Sequence, residues 1–445
     1  RMATKNSTGN AIGVLADVES IDGGVTPNAS VAEEICAAVN AVDADMAALA
    51  FSELPKEDNY ESDEEEEDKG GGKKKRSWLG KMSKRLFKGW RPKTSDDETK
   101  KLIMACRSPT ASSIGGFAIQ DPEHARLCRS VLTLMVRQMG KNLLKGANVM
   151  NVSFPIQCCQ PRTVMEIAAT QGGYSHLFLP RAAATQDPVE RMKLVVCCFI
   201  AGMVCTSGNF LKPLNPILGE TFQVTYSDGS RLFMEQTSHH PPVSSFRFEA
   251  KDGAYTCYGF LTFTVGFGYN RFYLSNTGIR VVEFKDGTKI SFDFPDDRWG
   301  NVFWGEMHHE SIGPQTFVDE GHGLRCKLAF NPEGRKGLPS DYFDGVLERY
   351  DPADPDKEGT PVSSVEGSWV GFCDFDKVRY WDLRTSERMT TSAPPVILPS
   401  DSRHRSDRNL LADKDYKGAQ EEKLRLEELQ RADRKLRAAA VAAKS

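Results

Sequence analysis

A chain of 445 residues allows two or three average domains, or one large domain with tails, and its formal charge of -4 nearly cancels overall, which gives no support for a nucleic-acid partner. Eleven cysteines, including the pairs Cys158-Cys159 and Cys197-Cys198, show no CxxC and no metal-ligand spacing, and an odd number cannot all pair within one chain. They read as small hydrophobes in a reducing compartment; no apolar, positively led segment opens the chain, and the longest apolar run, Leu194 to Cys205, is too short to span a bilayer, so a cytoplasmic protein touching membranes from outside is expected.

The first 95 residues read as largely disordered, with short amphipathic helices. Ser30 and Glu33 form a capping-box pattern ahead of Val31, Ile35, Val39, Val42 and Met46 at helical spacing. Glu64 to Asp68 is an acidic run, followed by Gly70-Gly71-Gly72 and the basic Lys73-Lys74-Lys75-Arg76. From Ser77 to Trp90 a helical wheel separates Trp78, Leu79, Met82, Leu86, Phe87 and Trp90 from Lys81, Lys84, Arg85 and Lys88. Together, Lys73 to Trp90 suit an interfacial helix on an anionic membrane surface; docking on the main domain is the alternative for the same wheel.

A compact domain begins near Asp96 and runs to residue 445. Residues 120 to 145 read as helical. Asp187-Pro188-Val189-Glu190 has the pattern of a helix start: an acidic cap, proline in the first turn, and Glu three residues after the cap. The helix it opens, through about Val204, is apolar nearly all round and predicts burial. Beyond Gly219 the signals change to strands. Asp228-Gly229, Asp252-Gly253 and Asp286-Gly287 each sit between alternating runs, the strongest short hairpin signal. Tyr255 to Val265 alternates with no charge on either face, which predicts a strand covered on both sides. Successive hairpins favour an antiparallel meander curling into a barrel able to enclose a ligand. From Asp401 the chain turns helical and highly charged.

Three stretches carry candidate chemistry. Glu235-Gln236-Thr237-Ser238-His239-His240-Pro241-Pro242 places two imidazoles before two prolines, so the strand is expected to end at His240 with a bend that lets both rings address one anionic group. In Leu211-Lys212-Pro213-Leu214-Asn215-Pro216, the prolines hold Lys212 and Asn215 extended, and a polyproline segment puts residues three apart on one side. Lys423, Glu427 and Arg431 recur at intervals of four and form one helical stripe, which on its own reads as an ion-pair ladder.

These three stretches resemble the motifs of the oxysterol-binding protein family of lipid-transfer proteins, over about residues 130 to 435. Ser406 departs from the family's usual proline. The resemblance implies an α+β fold, a large, partly open antiparallel β-barrel enclosing a lipid tunnel, with a lid from about residues 105 to 140 and a C-terminal helical segment. It implies that Lys212, Asn215, His239, His240, Lys423, Glu427 and Arg431 bind the headgroup of phosphatidylinositol 4-phosphate, exchanged for a sterol or phosphatidylserine in the same tunnel. No cofactor is implied. A phosphomonoester leaves water only against charged hydrogen-bond partners, and acyl chains gain about 0.8 kcal/mol per buried methylene.

Two other readings compete. His308-His309-Glu310 is a second tandem histidine, imaginable as part of a metal cluster in a hydrolase, but there is no HExxH and no nucleophile motif. A sensor or scaffold that binds the same lipid without carrying it would have the same pocket.

Overall fold

The computed structural model describes residues 97–130, 156, 159–208, 210–239, 241–268, 270–332 and 337–442. The expected helix near residues 30–46, the acidic and basic runs, the Ser77–Trp90 wheel, His240 and residues 131–145 of the expected helix lie outside these. Within them the dominant structure is a seventeen-stranded sheet with helices against it.

The three Asp-Gly pairs all turn hairpins. They join Thr221–Tyr226 to Arg231–His239, Pro242–Glu249 to Tyr255–Leu261, and Arg280–Phe284 to Lys289–Phe292. At each turn the aspartate accepts from the backbone N–H two residues on, at Ser230, Ala254 and Thr288, and the glycine between takes the left-handed conformation. From Thr221 the ladder passes through these strands to His308–Asp319, then through Leu324–Phe330, Tyr342–Arg349, Thr360–Ser368 and Phe372–Phe375 to Val378–Asp382. No register pairs Val378–Asp382 with Thr391–Ser392 or Thr221–Tyr226, so the wall is a partly open antiparallel barrel. The 3-10 segment Ala169–Tyr174 spans that seam: Tyr174 meets Trp381 edge-on, and Tyr226 Oη donates to Ala169 O at 2.5 Å.

Two expectations about the wall need correction. Tyr255 to Val265 is not one strand: Tyr255–Leu261 pairs with Arg280–Phe284, whereas Phe263–Gly268 pairs with Arg271–Asn276. Nor are both faces covered, because Tyr255 and Leu261 face the core while Phe260, on the outer face, is 37% exposed.

The helix Pro188–Thr206 occupies much of the barrel interior. Asp187 caps it by accepting from Val189 N at 2.9 Å, with proline at the first position. Its apolar sides are buried; Phe199 meets the rings of Phe292, Phe294 and Phe317 edge-on. Lys193 leaves the core to pair with Asp376 at 3.1 Å.

Ahead of the barrel, helix Asp97–Cys106 packs Ile103 and Cys106 against Tyr342 and Phe372, and residues 122–130 are helical. The described part of the expected lid is pinned by the buried Arg107–Asp341 pair at 2.6 Å, and by pairing of Phe117–Ala118 with His308–His309. Ser108, Thr110, Phe117 and Ala118 line a cavity with Phe210 and Arg388. The described cysteines are free, and no helix among the described residues is long and apolar enough to cross a membrane.

Candidate binding site

The site is built where the barrel wall meets the C-terminal segment. Strand Arg231–His239 alternates Leu232, Met234 and Gln236 inward. Its register against Pro242–Glu249 shifts between Gln236 and Ser238, and the strand ends at His239, opposite Pro242. A proline with no N–H to donate opens the returning strand, the position where a ladder tolerates it. The bend expected at the proline pair therefore begins earlier, at this bulge, and the expected strand end at His240 itself lies outside the described residues.

Lys212–Leu214 does not remain an isolated polyproline segment. It forms a short parallel pairing with Cys159–Thr163, with Lys212 opposite Cys159. The expected common side is nonetheless present: Lys212 Nζ donates to Asn215 Oδ1 at 2.8 Å. The strand Cys159–Thr163 runs straight into the helix Val164–Ala168 through a capping box, in which Thr163 accepts from Glu166 N and Glu166 accepts from Thr163 N.

On the helix Tyr416–Ala442, Lys423 Nζ lies 2.7 Å from Glu427 Oε1, and Arg431 Nη2 lies 3.5 Å from Glu427 Oε2. The stripe is thus a ladder in which one carboxylate aligns two cations. Cys159, opposite Lys212 in the ladder, and Leu214 pack in one buried cluster with Ala419, one turn before Lys423 on the C-terminal helix, and burial raises the pKa of the Cys159 thiol. At the other end of the stripe, Gln430 Nε2 lies 3.5 Å from His239 Nδ1. The stretch around Lys212 and the strand ending at His239 therefore both meet the C-terminal helix, the first through the cluster of Leu214 and Ala419 and the second through Gln430. Gln430 was not expected from the sequence, although it lies seven residues after Lys423, on the same helical face.

The C-terminal segment is held in place by buried charge. Arg405, after the 3-10 turn Ser402–His404, bonds Glu220 at 3.0 Å, Asp407 at 2.6 Å and the carbonyl of Asn215 at 2.7 Å. Burial raises the pKa of Glu220 despite the opposing charge of Arg405. Arg408 pairs with Glu166 at 2.6 Å. Ser406, the departure from the family pattern, donates to Glu422 Oε2 at 2.6 Å and so ties helix Ser406–Ala412 to the C-terminal helix. These contacts tie the Asn215 backbone and the C-terminal helix to one clasp.

Below this rim the barrel interior contains a cavity of about 90 Å³, open on one side and smaller than the pockets that enclose whole ligands. Leu179, Val195, Phe199, Met234, Phe248 and Leu261 are among its lining residues. Met234 is on the strand that ends at His239, so the apolar interior and the polar rim share one strand, roughly 15 Å apart along it.

The second tandem histidine is not part of this site. His308, His309 and Glu310 are buried in the ladder, with His309 stacked on Trp299 at 4.4 Å and Glu310 paired with Arg298. Among the described residues no group of His, Cys, Asp and Glu is arranged to hold a metal ion.

A family model described as Oxysterol-binding protein matches residues 135–388 and 380–444. The chain is 32% identical over 349 residues to Oxysterol-binding protein 9 of Dictyostelium discoideum, covering 74% of this chain and 81% of that protein. It is 29% identical over 307 residues to Oxysterol-binding protein-related protein 3B of Arabidopsis thaliana, covering 64% of this chain and 66% of that one. The crystal structure of Osh3 ORD in complex with PI(4)P from Saccharomyces cerevisiae superposes with a TM-score of 0.56 at 23% identity, over 72% of this chain and 86% of that chain. That of Osh1 ORD in complex with cholesterol gives 0.57 at 19% identity, over 83% and 88%. At these identities the structural likeness shows the fold.

Proposed function

The chain belongs to the oxysterol-binding protein family, and from that membership we propose that it is a lipid-transfer protein: it extracts phosphatidylinositol 4-phosphate and exchanges it for a second lipid, a sterol or phosphatidylserine, between membranes. Residues 96–445 form the lipid-binding unit in this reading. The observation that supports it is that the stretch of Lys212 and Asn215 and the strand end at His239 both pack on the helix that carries Lys423, Glu427 and Arg431, beside an apolar cavity. A phosphate with close to two negative charges replaces part of the pairing that Glu427 now gives the two cations, while Lys212 and the imidazoles of His239 and His240 supply further donors. Glu427 keeps the cations in line and accepts an inositol hydroxyl. The acyl chains leave water for the cavity.

Two relatives of this fold support the choice of cargo, one solved with PI(4)P and one with cholesterol. The protein works from the cytoplasm as a peripheral visitor to membranes, with Lys73 to Trp90 as its contact with anionic lipid. The test is transfer between two liposome populations, with and without phosphatidylinositol 4-phosphate in the acceptor. Transfer of the second lipid is expected to accelerate when the acceptor contains the phosphoinositide. Binding without any transfer would make the protein a sensor or scaffold. In the same assay, deletion of residues 73–90 is expected to weaken attachment to anionic liposomes, and unchanged attachment would remove that segment from the membrane contact.

A further inference from the structure

Arg280 opens the strand Arg280–Phe284, whose alternation puts it on the same face as Val282 and Phe284, both buried in the core. An arginine on the inward face of an otherwise apolar pattern is unusual, and here it borders the barrel cavity. By surface area it is only half-buried, because its free side is the void itself. Its guanidinium carbon lies 4.1 Å from the ring centre of Phe294, 5.4 Å from that of Phe246 and 5.9 Å from that of Phe199. Among the described residues no carboxylate pairs with it, and its Nε is buried without a hydrogen-bond partner.

A second polar group in the same cavity is also unsatisfied. Ser175, 3% exposed, lines the void, and its Oγ has no partner. Cation–π contacts offset only part of the cost of withdrawing a guanidinium from water, and a hydroxyl buried alone adds to the debt. Burial pushes the Arg280 pKa down to about 10, against the upward pull of Cys257 and Cys198, so the charge persists at neutral pH. A purely hydrocarbon occupant would leave both groups as they are.

We propose that Arg280 and Ser175 form an anion subsite inside the barrel that takes the carboxylate of a fatty-acid-type amphiphile. The carboxylate accepts from Nε and a terminal nitrogen of the Arg280 guanidinium and from Ser175, and the chain runs along Phe246, Phe248, Leu261 and Val282, all of which line the cavity, toward its open side. Such a ligand enters with its polar end first, the reverse of a phosphoinositide held by its headgroup at the rim. The assignment rests on the carrier reading for the use of the cavity and adds a cargo class to it.

The test is fluorescence titration of the full chain with cis-parinaric acid and with its methyl ester near neutral pH, where the acid is ionised. The acid is expected to bind at least about tenfold more tightly than the ester, the effect of one charged hydrogen-bonded pair. Arg280→Met is expected to abolish that preference by weakening the acid alone, and Arg280→Lys to retain part of it. Equal affinity for acid and ester in the unaltered chain overturns the proposal, as does an Arg280→Met variant that keeps the preference. The unaltered chain's ratio decides the matter even where a variant folds poorly. Extraction of phosphatidylinositol 4-phosphate from liposomes by the same preparation is read separately; its absence overturns the carrier reading and leaves the acid-to-ester ratio as the test of the subsite.

Discussion

Glu310 shows how a charged residue can look functional and be structural. It is 4% exposed, between Arg298 and His308. Burial alone would raise its pKa, but the bond from His308 and the charge of Arg298 outweigh it and hold the carboxyl at about 2, below the ordinary 4.5. A folded-state value below the unfolded one means stabilisation that is complete above about pH 4.5 and lost as pH falls toward 2. Glu310→Gln is therefore expected to cost about 3 kcal/mol near neutrality by breaking a buried ion pair. Urea midpoints measured across acid pH check this, because the deficit must shrink as the wild-type carboxylate protonates; a constant deficit would point to packing. From the sequence, His308-His309-Glu310 could be set aside only for lack of a catalytic motif, since nothing in a tandem histidine reveals Trp299 stacked on it. The shared side of Lys212 and Asn215 was readable because proline fixes their local conformation, while their assignment to a site came from the family resemblance; Gln430 was not readable, because a glutamine on a charged helix has no distinguishing environment until His239 is placed beside it.

At the scale of elements, the hairpins were legible and the strand partners were not. Asp-Gly acts locally, through an aspartate bond to the backbone two residues on and a glycine in the left-handed region, so each turn could be read from its own residues. The corner at Thr262 could not, because inside-outside alternation continues unbroken while the ladder changes partner from Arg280–Phe284 to Arg271–Asn276. The C-terminal clasp was equally hidden, as it depends on carboxylates about 185 residues away, with Glu220 bonding Arg405. Arg405→Met is expected to lower stability by about 3–5 kcal/mol, because it leaves Glu220 and Asp407 buried without their cation. Chemical denaturation measures the loss. Restoring a fully neutral cluster with Glu220→Gln and Asp407→Asn in the same chain should recover part of it; no recovery would mean that the guanidinium acts by filling space.

The architecture of the whole molecule limits how cargo is handled. The described wall is open along one seam, where Ala169–Tyr174 touches Tyr226 on one side and Trp381 on the other, while helix Pro188–Thr206 occupies much of the interior. Helix and seam together leave an open-sided cavity of about 90 Å³, less than one lipid's apolar part fills, so on the carrier reading a single lipid must already widen it and a second has no place. Two lipids that need the same volume must exclude each other, however different their headgroups, and for the proposed carrier that exclusion would turn two binding equilibria into an exchange. Saturating the protein with a sterol is therefore expected to suppress extraction of phosphatidylinositol 4-phosphate in proportion to sterol occupancy, and raising the phosphoinositide should reverse it with the concentration dependence of simple competition. Flotation of liposomes containing both lipids at varied ratios measures this. If sterol-loaded protein extracted the phosphoinositide undiminished, the two cargoes would occupy separate spaces, and rim and cavity would have to be treated as independent sites.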